Sequence, residues 1–143
     1  MLGVRIALPD RSRSGLEWAA RCNNHLGSQN GICEIRDYHY RPDLFDAYRK
    51  WATEAVVVLR RRLDVVGFWV DAGASAPEIT GTSPIASPSG SANVTWIIRW
   101  ESKAARDEAM KTAFAGKDWQ TVWSHHPDPN GYVQMSARFM DAM

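Results

Sequence analysis

The chain predicts an α+β fold of the ferredoxin-like type, with the element order strand, helix, strand, strand, helix, strand. Three observations lead to this prediction: alternating strands at both ends of the domain, two adjacent apolar strands in its middle, and an amphipathic helix within each half. This order is that of a split βαβ arrangement, and right-handed crossovers place both helices on one face of the sheet.

The first strand and the first helix are the clearest elements. Residues 32–40 alternate, and Pro42 and Asp43 then indicate a helix start, with Asp43 as the expected N-cap. Arg60–Arg62 indicates the helix end, because cations there complement the helix dipole. The helix between them is supported by apolar residues at three- and four-residue steps: Leu44, Tyr48, Trp51, Ala52, Ala55, Leu59 and Leu63.

Two runs of β-branched and aromatic residues, 65–70 and 93–100, predict the central pair of strands. The segment between them, residues 72–92, is rich in Ala, Ser, Gly and Pro. A loop of this length is usually a functional flap or a disordered segment, and its composition favours flexibility.

The second helix and the last strand follow the same plan as the first half. Ser102 is expected to cap a helix that breaks at Gly116, and residues 118–123 predict a further helical turn. Residues 127–131 are all turn-forming types, and an alternating strand follows over residues 132–140. The folded domain therefore spans residues 32–143, and residues 1–31 are expected to be an extension that is poorly structured or forms a short helix.

Composition excludes several classes of function. The 143 residues suffice for one core, and a net charge of +1 gives no broad attraction for nucleic acid or anionic lipid. Cys22 and Cys33 match no metal-ligand spacing or disulfide framework, and no segment reaches the length of a membrane span. We expect a cytoplasmic protein without a metal. Because the sequence has no phosphate-binding glycine loop, we do not expect a nucleotide cofactor.

The two central strands are apolar on both faces. Val66, Phe68 and Val70 are expected on one side of the second strand, and Val65 and Trp69 on the other. Helices can cover only one face of the sheet. An apolar sheet face on a soluble chain indicates an interface, and the simplest closed partner is a second copy, so we predict a homodimer built sheet to sheet.

Three side chains on one face of the first strand form the best candidate catalytic group: Glu34, Arg36 and Tyr38. Arg36 could hold an anionic or carbonyl substrate while Glu34 or Tyr38 exchanges a proton. The alternative is a buried Glu34–Arg36 ion pair that orders the fold, with Tyr38 packed at its end, and this alternative is favoured because structural pairs are common.

The seven tryptophans and the histidines supply the candidate ligand-binding residues. Trp119 and Trp123 lie beside a glycine break and suit the rim of a pocket, and Trp100 and His125 complete the set. The alternative is that the tryptophans pack in the core and that the histidines, His126 included, are solvent-exposed loop residues. Haem ligation by a histidine stays open, although no attachment motif is present, and no cofactor is predicted.

Five segments together resemble NIPSNAP domains over about residues 32–140. Residues 34–42 followed by Tyr48 and Trp51 are similar to the opening of these domains, and residues 66–69, residues 97–102 and the pair Asp118–Trp119 are similar to later parts. The resemblance implies a dimeric α+β barrel. Two departures are the long 72–92 loop and Asp43, which stands where the family commonly has glycine.

The resemblance leaves the activity open, because one fold serves many functions. We expect a barrel protein that binds a small anionic or aromatic ligand in a cavity. The alternatives are a cofactor-independent monooxygenase or isomerase of the kind found in the wider barrel group, a haem-handling barrel, and a non-catalytic interaction module.

Overall fold

The computed structural model describes residues 31–73 and 75–141, so the expectation for the N-terminal extension lies outside the described residues except at Gly31. The strands are β1 (Ile32–Tyr40), β2 (Val65–Val70), β3 (Val94–Trp100) and β4 (Tyr132–Asp141). The helices are α1 (Phe45–Arg62), α2 (Lys103–Met110) and α3 (Lys117–Ser124). Short 3-10 turns precede α1 (Pro42–Leu44) and β4 (Pro129–Gly131).

The four strands form one antiparallel sheet in the order β2-β3-β1-β4. The two terminal strands, β1 and β4, are neighbours, and β3 pairs with the other edge of β1. This is the order that two right-handed strand-helix-strand units produce when they interleave. The structure confirms the predicted α+β, ferredoxin-like class.

The core lies between one face of the sheet and the helices. Helix α1 contributes a buried stripe at three- and four-residue spacing, as its sequence predicts. Alternate residues of β1 and β3 meet that stripe, since successive side chains of a strand point to opposite faces. The most deeply buried large side chains are Tyr40, Tyr48, Ile98, Glu34 and Val94. None of the described helices combines the length and the apolarity that crossing a membrane requires.

The helix boundaries agree with the sequence at the start of α2 and the end of α1, and they differ at the start of α1 and at the end of α2, which stops at Met110 before Gly116. Ser102 caps α2 by accepting a hydrogen bond from the backbone N–H of Ala105 at 3.1 Å, and α1 ends at Arg62. The prediction that Asp43 caps α1 is wrong. Its carboxylate instead accepts two hydrogen bonds from Arg41, of 3.1 and 2.6 Å, and α1 begins after the 3-10 turn without a side-chain cap.

The predicted faces of β2 are confirmed for Phe68, Val70 and Trp69 and are wrong for Val65 and Val66, which exchange sides. A register shift between Val65 and Gly67 puts Val65 on the helix-covered side with Phe68, and it leaves Trp69 on the opposite side, 51% exposed. A β-bulge cannot be read from alternation alone. The indole of Trp69 lies over Gly67, where any Cβ atom would collide with the ring.

Candidate functional site

A cavity of about 450 Å³ lies between the sheet and helices α1 and α3. Its size is within the range of small-molecule sites, and its walls are mostly aromatic. Four of the residues that line it are exposed: Phe114, Trp123, Pro129 and Met135. The full lining is Tyr38, Tyr48, Trp51, Ala55, Leu59, Phe68, Trp96, Phe114, Trp119, Trp123, Pro129, Tyr132 and Met135.

The three predicted catalytic side chains form one hydrogen-bonded row on the helix-covered face of β1. Arg36 Nε donates to Glu34 Oε1 at 2.9 Å, and Arg36 Nη1 donates to the Tyr38 hydroxyl oxygen at 3.0 Å. The guanidinium carbon of Arg36 also lies 5.2 Å from the centre of the Trp96 ring. Of the three, Tyr38 is the one that lines the cavity.

Glu34 is fully buried and receives hydrogen bonds from two further residues. Arg106 on α2 donates to both carboxylate oxygens, from Nη2 to Oε1 at 2.6 Å and from Nε to Oε2 at 3.0 Å. The indole N–H of Trp100 donates to Oε2 at 2.9 Å. With Arg36, each carboxylate oxygen accepts two hydrogen bonds, so Glu34 has little capacity left to take a proton.

The electrostatics of this row separate the roles of Glu34 and Tyr38. Burial opposes ionisation of Glu34, but the hydrogen bonds from Arg106 and Arg36 outweigh it and lower the pKa of Glu34. Burial raises the pKa of Tyr38, and the nearby Arg36 charge reduces that rise without reversing it. Glu34 is therefore a carboxylate and Tyr38 a neutral phenol at ordinary pH.

The two adjacent histidines occupy different environments. His125 is exposed, lies outside the cavity lining and contacts the carboxylate of Glu54 at 3.2 Å. His126 is buried, so the expectation that both histidines are in solvent is wrong for His126. Its ring lies 4.3 to 5.8 Å from the rings of five aromatic residues, which are Tyr40, Tyr48, Trp51, Trp123 and Tyr132. Burial lowers the pKa of His126.

The tryptophans divide between cavity, core and open sheet face. Trp119 and Trp123 line the cavity and stack with ring centres 5.9 Å apart. Trp100 lies behind the cavity, where it hydrogen-bonds Glu34. Trp69 is exposed on the other face of the sheet, against the expectation of a core position. Trp96 lines the cavity, and its buried indole N–H has no hydrogen-bond partner among the described residues.

Comparison with known proteins identifies the fold. A scan against protein-family models found no match, and a search of curated proteins found no relative. Among solved structures, a NIPSNAP family protein from Agrobacterium tumefaciens str. C58 matches with a TM-score of 0.58 and 18% identity, covering 83% of this chain and 91% of its own. An uncharacterised NIPSNAP-like domain protein from Burkholderia xenovorans gives 0.57 and 19% identity, covering 80% and 87%. The fold is that of NIPSNAP-domain proteins.

The matches to NIPSNAP proteins support the resemblance seen in the sequence and extend over most of the described residues. Three residues of the candidate site were not predicted from the sequence: Arg106, His126 and Tyr132. Arg106 lies on a short helix whose sequence contains several charges, and nothing local distinguishes the one that turns inward. Among residues 31–73 and 75–141, no group of three His, Cys, Asp or Glu side chains lies close enough to hold a metal.

Proposed function

We propose that this protein binds a flat, largely apolar small molecule in the aromatic cavity between its sheet and its helices. The observation that carries the proposal is the cavity itself, about 450 Å³ in volume, with stacked Trp119 and Trp123 on its wall. A natural core is packed to high density, and an opening of this size lined by aromatic rings suits a planar ligand. The buried indole N–H of Trp96 is a donor that such a ligand could satisfy.

Filling the cavity tests this proposal. Ala55 lies on α1, lines the cavity and is buried, so Ala55→Phe places a ring in the space reserved for the ligand. Val57 lies on the same helix and is 51% exposed, which makes Val57→Phe the matched control. We expect binding of 7-methoxycoumarin, measured by the change in tryptophan fluorescence, to be lost in Ala55→Phe and kept in Val57→Phe. Equal binding by both variants would contradict the proposal.

Binding accounts for this site better than catalysis by Glu34. A general base needs a free lone pair and a pKa near the working pH, whereas Glu34 accepts four hydrogen bonds and has a lowered pKa. We assign Glu34 the role of fixing Arg36, and Arg36 that of orienting Tyr38. In a cofactor-independent isomerase or monooxygenase, Tyr38 would serve as a hydrogen-bond donor to a substrate oxygen.

We further propose that a second copy of the chain covers the open face of the sheet, giving a sheet-to-sheet homodimer. Trp69 is 51% exposed there and Met140 49%, and both alternate with the helix-covered positions of their strands. Charges on this face have partners within the chain, since Arg138 Nη2 lies 3.3 Å from Asp37 Oδ2 and Arg99 Nη1 lies 3.5 Å from Asp64 Oδ2. Covering that face would therefore bury apolar surface without leaving these buried charges unpaired.

Light scattering tests the homodimer. One chain has a mass of 16.1 kDa, and the measured mass should be twice that value. Trp69→Glu should give the single-chain mass, whereas Val57→Glu on the exposed side of α1 should keep the dimer mass. A wild-type chain with the mass of one copy at micromolar concentration would contradict the proposal. The cytoplasmic location stays a prediction of the sequence.

A further inference from the structure

The polar side-chain groups that line the cavity can each donate a hydrogen bond. The lining contains three phenols and an unpartnered indole N–H, from Tyr38, Tyr48, Tyr132 and Trp96. Among the described residues, the lining contains no carboxylate, no side-chain amide, no serine or threonine hydroxyl and no basic side chain. The direction of each phenol proton therefore decides which ligand atoms the cavity can satisfy.

The proton of Tyr38 is available to a ligand. The hydroxyl oxygen of Tyr38 accepts a hydrogen bond from Arg36 Nη1 at 3.0 Å. A guanidinium has no acceptor, so Tyr38 cannot return its own proton to Arg36. Arg36 is itself held by Glu34 at 2.9 Å and by the Trp96 ring, which fixes this orientation.

The proton of Tyr132 is available for a parallel reason. The backbone N–H of Asp128 donates to His126 Nδ1 at 3.2 Å, so the proton of the neutral imidazole is on Nε2. That Nε2–H donates to the Tyr132 hydroxyl oxygen at 3.0 Å. Tyr132 is then left with a proton for the cavity. If Tyr132 instead donates a hydrogen bond to the neighbouring Tyr48, the Tyr48 hydroxyl can donate toward the cavity in its place. The number of hydrogen-bond donors that face the cavity is then unchanged.

The charges behind these donors favour a negative ligand. Glu34 carries one negative charge, and Arg36 and Arg106, which both contact it, carry one positive charge each. Arg106 also pairs with Asp107 at 3.1 Å, so the positive charge nearest to the cavity is that of Arg36, which lies directly behind the Tyr38 hydroxyl. Hydrogen bonds to an ionised oxygen are roughly twice as strong as neutral ones.

We propose that the cavity selects the ionised form of its ligand: a planar aromatic molecule whose phenolate or enolate oxygen accepts hydrogen bonds from Tyr38, Tyr132 and Trp96. The inference rests on the proposed binding function and names its ligand class. The Tyr38 and Tyr132 oxygens already accept hydrogen bonds from Arg36 and His126, so donors outnumber free acceptors around the cavity and the proton of a neutral phenol would compete for the few that remain. An ionised oxygen satisfies the donors, including the indole N–H that lacks a partner.

The probe is 7-hydroxycoumarin, whose phenol and phenolate forms absorb at different wavelengths, together with its methyl ether, 7-methoxycoumarin. Titration of the bound hydroxycoumarin should show its pKa lowered by about one unit or more, which means about tenfold tighter binding of the phenolate than of the phenol. The phenolate should also bind tighter than the methyl ether. An unchanged or raised pKa of the bound probe, with both dyes bound, would overturn this inference and leave the binding proposal standing. If neither dye binds, both fall.

Tyrosine-to-phenylalanine variants identify the donors. Tyr38→Phe and Tyr132→Phe should each weaken phenolate binding by about tenfold while changing methoxycoumarin binding little. Tyr40→Phe is the matched control, because Tyr40 lies outside the lining and already donates to the Asp128 carbonyl at 2.9 Å. Circular dichroism shows whether each variant is folded. Equal effects of all three substitutions on the bound pKa would contradict the assignment.

Discussion

Arg106 on α2 donates two hydrogen bonds, of 2.6 and 3.0 Å, to the buried carboxylate of Glu34 on β1. The contact joins two elements that are distant in sequence, and it fixes the negative charge that holds Arg36 in place. Because Glu34 has no exposed surface, its charge depends on these partners rather than on water. The row of side chains from Arg106 to Tyr38 therefore acts as one unit.

Removing Arg106 should destabilise the fold strongly. Arg106→Ala leaves Glu34 with only Arg36 and Trp100 as donors, and breaking a buried ion pair on one side costs about 3 kcal/mol or more. Lys103→Ala is the control, since Lys103 pairs with Asp107 at the surface and such pairs contribute at most about 1 kcal/mol. Urea unfolding measures both. Equal losses would show that the Glu34 contact does not hold the fold.

Acid should weaken the protein through the same carboxylate. The pKa of Glu34 is lowered in the folded chain from an ordinary value of 4.5, so the unfolded chain binds the proton more readily. The stabilisation is then complete above that value and is lost as the pH falls through the lower, folded pKa.

Glu34→Gln provides the measurement for this acid dependence. The variant should be less stable than the wild type near neutral pH, but its free energy of unfolding should fall less steeply in acid. Urea unfolding at a series of pH values compares the two slopes. Identical slopes would mean that Glu34 is not the group that titrates.

The sequence predicts the elements of this fold well because each follows from a local pattern. The stripe from Tyr48 to Leu59 and the serine cap at Ser102 need only the periods of helices and the chemistry of caps. The faces of Val65 and Val66 could not be predicted, since the bulge after Val65 depends on pairing with β3. Asp43 was mispredicted because Arg41, two residues earlier, competes for its carboxylate.

The candidate site was predictable only in part, for the same reason. Glu34, Arg36 and Tyr38 meet because alternation alone puts them on one strand face. Arg106 and His126 reach the site through tertiary packing, which no local pattern records. His125 and His126 differ by one position, and only the turn after α3 decides which ring points inward.

His126 should add a second pH dependence, nearer to neutrality. Burial lowers the pKa of His126 below its ordinary value of 6.5, so the unfolded chain takes up the proton first and stability falls as the pH drops below that value. Tyr132 and the Asp128 backbone contact its two nitrogens, and the Asp128 charge opposes the shift only in part. The melting temperature should therefore fall between about pH 8 and about pH 5.5.

His126→Phe tests the assignment of that dependence, because it keeps an aromatic ring without a titratable nitrogen. Its melting temperature should change less over the same interval, although it is lower throughout. His125→Ala is the control, since His125 is exposed beside Glu54. A variant at His126 that keeps the full wild-type dependence would assign the titration to another group.

Asn93 should anchor the end of the long loop. Its side chain bridges the backbone of Tyr40, accepting from the N–H at 2.8 Å and donating to the C=O at 2.7 Å. Asn93→Ala leaves both groups without a partner and should cost about 2 kcal/mol, and Asn93→Asp should cost at least as much because its second carboxylate oxygen would face the Tyr40 carbonyl oxygen. Hydrogen exchange at the Tyr40 amide measures the effect. Unchanged protection in Asn93→Ala would show that the bridge is not formed.

Gly116 should be the most sensitive of the glycines with a positive φ angle. Its φ of +101° disfavours any side chain, and a Cβ atom there would lie 2.8 Å from Arg62 Nη2. Arg62 donates to the carbonyls of Ala113 and Ala115 and to the Asp118 carboxylate, so it holds the junction between α2 and α3. Gly116→Ala should combine backbone strain with displacement of Arg62, a loss of about 2 to 4 kcal/mol.

Gly90→Ala separates the two effects at Gly116. Gly90 also has a positive φ, of +73°, but a Cβ atom there would meet nothing within 4 Å, and hydrogen bonds to Ser87 and His39 hold its backbone. Thermal unfolding of both variants should show a larger loss for Gly116→Ala, and Arg62→Ala should remove most of the difference when combined with it. Equal losses of thermal stability at the two glycines would mean that backbone strain explains the whole effect and that displacement of Arg62 contributes nothing.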